Sequence, residues 1–341
     1  MRILVADAFP DASLSELTER AHDCAYEPDT TTEQLPDKLA GCDVLVVRST
    51  KVPASVLEEA DTLRLVIRAG SGTNTIDCDT AAQRGIYVCN VPGRNALAVA
   101  ELACALMLAL DRNIADSVTD LRAGRWDKKR YSRAQGIFGR RVGVVGLGQI
   151  GLAFAERAAA FGTQVHAVAK PGRDQETLDR ARAIGISFVD TLEELARTCD
   201  VLSLHVPAAE DTRQLIDRDL LTHVQPGTLI VNTSRGELVD EDALIEAMET
   251  KGVRAGLDVF ADEPGASTGS IDSQLAKHPN VYGTHHIGAS TEQAQQAVAD
   301  EVVRMIDTFE SGRVLHCVNL DTALPVQPDR ITSSLDSGGV S

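Results

Sequence analysis

The sequence predicts an α/β fold made of two doubly wound parallel-sheet domains. Three observations predict it. Short apolar runs alternate with amphipathic helical stretches along nearly all of the 341 residues. The alternation comes as two series, split by an apolar helical segment at 96–111. The second series opens on Gly146-Leu147-Gly148-Gln149-Ile150-Gly151, between a strand-like and a helix-like stretch. A βαβα rhythm implies parallel strands covered by helices on both faces, and the length suits two domains better than one.

In the first series the predicted strands are 3–6, 44–47, 65–67 and 86–91, with amphipathic helical stretches at 13–20 and 54–60. In the second they are 142–145, 165–169, 201–205, 229–232 and 255–259. A helix follows at 292–310, with Ser290 or Thr291 as its N-cap and Gly312 closing it. Residues 314–319 read as a last edge strand. From Asp321 onward the chain is rich in Ser, Pro, Gly and Asp without apolar periodicity, and 321–341 reads as a mobile tail.

Lys and Arg number 33 against 50 Asp and Glu, a net charge of −17. That balance argues against a nucleic-acid partner, and an anionic substrate would need a local patch of positive charge. The seven cysteines (Cys24, Cys42, Cys78, Cys89, Cys104, Cys199 and Cys317) are odd in number and contain no C-x-x-C. With a first stretch that reads as a strand and not as a secretory leader, they predict a reduced, cytoplasmic setting with thiols as small core residues. The longest apolar run, 97–110, contains Glu101 and is too short to span a bilayer, so no membrane partner is expected.

The glycines carry the first functional reading. In a strand–turn–helix context Gly146 makes the tight turn, Gly148 lets the backbone approach a pyrophosphate, and Gly151 lets the helix pack on the strand. The free N–H groups at Gln149 and Ile150 and the positive end of the helix dipole then face the phosphates. Four more segments follow strand ends or lie beside them: Arg68-Ala69-Gly70-Ser71-Gly72-Thr73-Asn74, Thr233-Ser234-Arg235-Gly236, Asp258-Val259-Phe260-Ala261-Asp262-Glu263-Pro264 and His285-His286-Ile287-Gly288-Ala289-Ser290-Thr291. Ligands of open parallel sheets bind beyond the carboxyl ends of strands, so an arginine, an acid and a histidine there can converge on one cleft.

On these segments, with Val47-Arg48-Ser49-Thr50, Asn90-Val91-Pro92-Gly93-Arg94-Asn95 and Leu204-His205-Val206-Pro207, the sequence resembles the D-isomer-specific 2-hydroxyacid dehydrogenases over about residues 1–319. Its likeness is nearest to the short type of D-3-phosphoglycerate dehydrogenase, without an appended regulatory domain. The resemblance implies a Rossmann-like cofactor domain at 97–287, inserted into a discontinuous flavodoxin-like substrate domain at 1–96 and 288–320. It implies NAD(H) or NADP(H) as cofactor, a small anionic 2-hydroxy or 2-oxo acid as substrate, and a homodimer or higher homo-oligomer that uses the 97–110 helix.

Arg235 matches the arginine that grips the substrate carboxylate, and a guanidinium can do so through two parallel charge-assisted hydrogen bonds. Ser49, Ser71 and Gly72 match the other side of that carboxylate site. His286 matches the acid/base, since imidazole exchanges a proton near neutral pH. Glu263 matches the acid that orients its ring and favours its charged form. His285 departs from the family, where proline is common. His205, Val206 and Pro207 match a wall of the cofactor site, with Thr233, Ser234 and Gly288 beside it, and Asp258 matches a contact to the nicotinamide amide. No ligand cluster of metal-site spacing accompanies the histidines, so no metal is expected.

A second departure lies at the adenine ribose. The position that normally holds an acid is Ala169, followed by Lys170 and Arg173, two cations able to hold a 2′-phosphate. Lys128 and Lys129, in a basic cluster with Arg130 and Arg133, match a region of the family that can meet a substrate phosphate, and Arg48 and Arg68 are other candidates. The resemblance thus implies oxidation of 3-phosphoglycerate at the entry to serine synthesis. A glyoxylate or hydroxypyruvate reductase and a cofactor-sensing corepressor on the same fold are the alternatives.

Overall fold

The computed structural model describes residues 1–264 and 268–320; the expected tail at 321–341 lies outside the described residues. The chain divides into two compact units. One comprises Met1–Asn95 with the described residues from Glu292 onward, and the other Ala96–Thr291.

The first unit holds strands β1 (Arg2–Val5), β2 (Asp23–Tyr26), β3 (Val44–Val47), β4 (Leu65–Arg68) and β5 (Tyr87–Asn90). They form one parallel sheet in the order β2-β1-β3-β4-β5, the flavodoxin-like order. The helix Glu292–Glu310 returns to this sheet, and Val298, Val302, Ile306 and Phe309 bury against Ile3, Val5, Val44 and Val46.

The second unit holds β6 (Arg141–Val145), β7 (Gln164–Val168), β8 (Ser187–Val189), β9 (Val201–Leu204), β10 (Leu229–Asn232), β11 (Arg254–Leu257) and β12 (Val281–Gly283). They pair in parallel in the order β12-β11-β10-β9-β6-β7-β8. Strand order reverses between β6 and β9, and the crevice beyond their carboxyl ends is where such sheets bind ligands. The helix Ala96–Arg112 covers this sheet, Leu106 and Leu110 lying over Gly256.

Three readings need correction. Strands β2, β8 and β12 were absent from the sequence reading. All three are short sheet edges: β2 and β8 carry half-exposed, partly polar residues without the apolar run of a central strand, and β12 is buried at Val281 and Tyr282 but only three residues long. The expected strand at 314–319 is instead a single antiparallel bridge between Cys317 and Cys89 on edge strand β5. The Asn319 side chain replaces ladder bonds there, accepting from Val88 N (2.8 Å) and donating to Ile86 O (2.9 Å). Residues 288–291, assigned by sequence to the returning segment, fall in the second unit, where Asp258 holds Gly288 N.

Candidate active site

The turn after β6 is built around missing side chains. Gly146 has φ of 100°, and a Cβ there would sit 2.5 Å from the carbonyl oxygen of His205. A Cβ on Gly151 would sit 1.9 Å from the Gly146 carbonyl oxygen, whereas one on Gly148 would meet nothing within 4 Å. Two glycines are therefore required by packing, and the third opens onto space. The helix Gln149–Ala160 starts at this opening with no side-chain cap. The first N–H groups of a helix have no partner within it. The cradle fits a dinucleotide pyrophosphate.

The turn after β9 backs this cradle. His205 N donates to Val145 O (2.7 Å), and Val206 packs at Gly146. The His205 ring is buried, packs on Phe154 with centroids 5.0 Å apart and shares a hydrogen bond with Ser203 Oγ (2.8 Å). Burial pushes it down to about 3, so it is a neutral prop beneath the turn. This expected wall residue borders the glycines through its backbone at Gly146 and its Cβ at Gly151. Pro207 O accepts from Thr212 Oγ1 (2.7 Å).

Beyond β7, Ala169 and Lys170 are exposed. Arg173 lies over the Phe188 ring at 5.5 Å and donates to Val168 O (3.3 Å). The nearby carboxylate of Asp174 caps the helix Gln175–Ile184 through Thr177 N (2.8 Å).

The loop after β10 is folded by Asn232, whose amide donates to Arg235 O (2.8 Å) and accepts from Ser234 N (3.0 Å). Ser234 Oγ ties it to Leu204 O (2.8 Å). Thr233 Oγ1 is buried without a partner among the described residues, an orphan that a cofactor amide or phosphate would satisfy. A Cβ on Gly236 would lie 2.1 Å from the Phe260 carbonyl carbon, so this glycine presses the Arg235 loop against the loop after β11.

That second loop carries Glu263. Its Oε1 accepts from Phe260 N (2.9 Å) and its Oε2 meets His286 Nδ1 at 2.6 Å. Burial pushes this carboxyl up. The hydrogen bonds from His286 and Phe260 and the charges of His286 and Arg235 outweigh it, leaving Glu263 below the usual carboxylate range. Arg235 thus acts on the same carboxylate as His286. Its Nη1 donates to Ser234 O (2.6 Å), and among the described residues no carboxylate forms an ion pair with it.

Sequence reasoning missed how His286 is held. The buried carboxylate of Asp258 accepts from Thr284 Oγ1 (2.6 Å), Ile287 N (2.8 Å) and Gly288 N (2.8 Å), and its backbone oxygen accepts from His286 N (2.9 Å). His286 sits at φ of 52°, a left-handed conformation that non-glycine residues rarely adopt. The clamp holds that backbone while its ring stays half-exposed, at 51%. Asp258 was expected at a nicotinamide amide; both its oxygens are engaged by the loop. His285 is exposed beside it.

The remaining predicted residues lie elsewhere. Lys128 and Lys129 are exposed on the short helix Lys128–Tyr131 and form no ion pair among the described residues, whereas Arg130 pairs with Asp116 and Asp120. Ser49, Ser71 and Gly72 belong to the first unit, in loops after β3 and β4. Ser49 N donates to Asp7 Oδ2 (3.1 Å), as does Arg48 N (2.6 Å). Ser71 O accepts from Asn90 Nδ2 (2.6 Å). Among the described residues no group of His, Cys, Asp and Glu is placed to hold a metal, and no helix is long and apolar enough to cross a membrane.

Residues 104–288 match the family model of the D-isomer specific 2-hydroxyacid dehydrogenase NAD binding domain. A D-3-phosphoglycerate dehydrogenase of Methanocaldococcus jannaschii is 39% identical over 92% of this chain and 58% of its own length. A hydroxypyruvate reductase of Thermotoga maritima is 43% identical over 77% of this chain and 83% of its own. The holo D-mandelate dehydrogenase of Rhodotorula graminis superimposes with a TM-score of 0.82 at 27% identity, covering 95% of this chain and 99% of that one. The chain spans 48% to 59% of the length of several curated phosphoglycerate dehydrogenases that it matches.

Proposed function

We propose that this chain, which belongs to the D-isomer specific 2-hydroxyacid dehydrogenase family, interconverts a small D-2-hydroxyacid and its 2-oxoacid with NAD(H) or NADP(H). The observation that carries the proposal is the Glu263–His286 pair at 2.6 Å, with the charge of Arg235 acting on the same carboxylate.

Arg235 binds the substrate carboxylate through its unpaired guanidinium edge and fixes the reacting carbon beside the imidazole. Because Nδ1 of His286 is taken by Glu263, its Nε2 faces the substrate. Nε2 removes the hydroxyl proton in oxidation and returns it to the carbonyl oxygen in reduction. Glu263 fixes the ring's orientation and stabilises its charged form. Gly148, Gln149 and Ile150 would hold the cofactor pyrophosphate, with Thr233 and Ser234 beside it; when bound, the nicotinamide supplies the hydride acceptor or donor.

3-Phosphoglycerate is the proposed substrate. The relatives' names and the exposed, unpaired Lys128 and Lys129 support a phosphorylated acid. Hydroxypyruvate is the second reading, favoured by the likeness to a reductase over most of that protein's length. With no acid at Ala169 and Lys170 exposed, NADP(H) is expected to be accepted beside NAD(H). A homodimer is part of the proposal. Ile114, Val118 and Leu121 form an exposed apolar stripe on one helix, and Trp126 beyond it is 81% exposed. All seven cysteines are unbridged, which supports a reducing, cytoplasmic compartment.

The test is a matrix of 3-phosphoglycerate, hydroxypyruvate and glyoxylate against both cofactors, repeated with His286→Asn. Turnover that falls by about 10²–10⁴ in the variant, with cofactor binding retained, supports the assignment. Cofactor binding without turnover of any acid would overturn it in favour of a sensor.

A further inference from the structure

The segment that follows the helix Glu292–Glu310 lays one cysteine against another. Cys89 is buried in β5, and Cys317 faces it across the antiparallel bridge at the border of the same core. The two backbone bonds of that bridge run from Asn90 N to His316 O (3.2 Å) and from Val318 N to Val88 O (2.9 Å). The flanking residues exchange the bonds, and the cysteines exchange none. This is the non-hydrogen-bonded register, in which opposed Cα atoms approach to about 4.5 Å and side chains come closest. A disulfide requires Cα atoms roughly 4.4–6.8 Å apart.

The two thiols differ in character. Cys89 is fully buried, whereas Cys317 is half-buried and reachable from solvent. Cys317 Sγ donates to Asn319 Oδ1 (3.3 Å). The Cys89 thiol opposite it, with the backbone N–H groups around it, outweighs burial and brings Cys317 down to about 6. Its neighbour Cys317 and burial push Cys89 far above the usual thiol range. An accessible thiolate beside a buried thiol is the arrangement of an attacking and a resolving cysteine.

We infer that Cys89 and Cys317 form a reversible dithiol–disulfide site that takes a small-molecule disulfide of the glutathione type. The Cys317 thiolate attacks one sulfur of the small disulfide, forms a mixed disulfide and releases one small thiolate. Cys89 then gives up its proton to that thiolate, attacks Cys317 Sγ and releases the second. Two cysteines lose two electrons in total, and one disulfide is reduced to two thiols. The new bond joins the two stretches of chain from which the first unit is made. It also sits next to Asn90, whose side chain holds the Ser71 loop.

The experiment equilibrates the full-length protein in glutathione buffers of stepped oxidised-to-reduced ratio, traps free thiols by alkylation and maps them by mass spectrometry. The expected result is one bond linking the Cys89 and Cys317 peptides, two fewer alkylatable thiols per chain, and full reversal by reduced glutathione. Cys89→Ala is expected to retain a single glutathione adduct on Cys317, and Cys317→Ser neither adduct nor link. Wild-type protein that stays fully alkylatable at every ratio overturns the inference, even if a variant fails to fold. A link from Cys317 to the neighbouring Cys78 overturns it too.

Discussion

A carboxylate bonded to one ring nitrogen of an imidazole fixes which nitrogen is left to react, and Glu263 is placed to do this for His286. Glu263→Gln keeps a hydrogen-bonding partner for Nδ1 and removes the charge, whereas Glu263→Ala frees the ring to turn. Both variants are expected to lower kcat with cofactor affinity unchanged, Glu263→Ala the more. Steady-state kinetics of the two variants in both directions check this, and equal losses would leave the hydrogen bond no orienting role. Arg235 and Glu263 were legible in the sequence as residues in short runs after predicted strands, and His286 by the resemblance of its Ile-Gly-Ala-Ser-Thr run. The Asp258 clamp was not, because its partners Ile287 and Gly288 follow at a distance that only the fold closes.

At the scale of elements, the glycine turn separates packing from binding. Gly151→Ala would drive a methyl group into the Gly146 carbonyl oxygen and is expected to cost about 1–3 kcal/mol of stability. Gly148→Ala meets no protein atom, so stability should hold while the Michaelis constant for cofactor rises. Thermal melts and cofactor titrations of both variants separate the two effects, and equal melting losses would refute the distinction. The helix Glu292–Glu310 offers a pH test. Its Glu301 side chain is 1% exposed and accepts hydrogen bonds from Arg304, Arg94 and His316. Burial raises its carboxyl, but those bonds outweigh burial and hold it at about 2. A folded value below the unfolded one means stability that is complete above the ordinary carboxylate range and is lost as pH falls through about 2. Near neutrality this amounts to about 3 kcal/mol. Urea unfolding of wild type and Glu301→Gln should differ most near pH 7 and converge toward pH 2. The central strands were readable as apolar runs. The edges β2 and β8 were not, because a strand half in solvent has little apolar pattern to read, nor was β12, whose buried Val281 and Tyr282 are too short a run.

At the scale of the whole molecule, the exposed stripe on the helix Ile114–Arg122 predicts association. Val118→Asp with Leu121→Asp should convert a sedimenting dimer to a monomer with unchanged circular dichroism, since exposed substitutions rarely disturb a fold. A monomeric wild type would remove the dimer from the proposal. The alternation of elements made both parallel sheets legible, but alternation alone says nothing about which distant segment completes a core. That completion has a consequence in time. The sheet face formed by Ile3, Val5, Val44 and Val46 is covered only in part, by Phe9 and Leu17, until Val298, Val302, Ile306 and Phe309 have been synthesised. All of Ala96–Thr291 is translated in between, a wait on the order of 10–40 s at about 5–20 residues per second. On the ribosome the later-made unit can therefore finish folding first, and the nascent amino-terminal sheet is a natural client for chaperones.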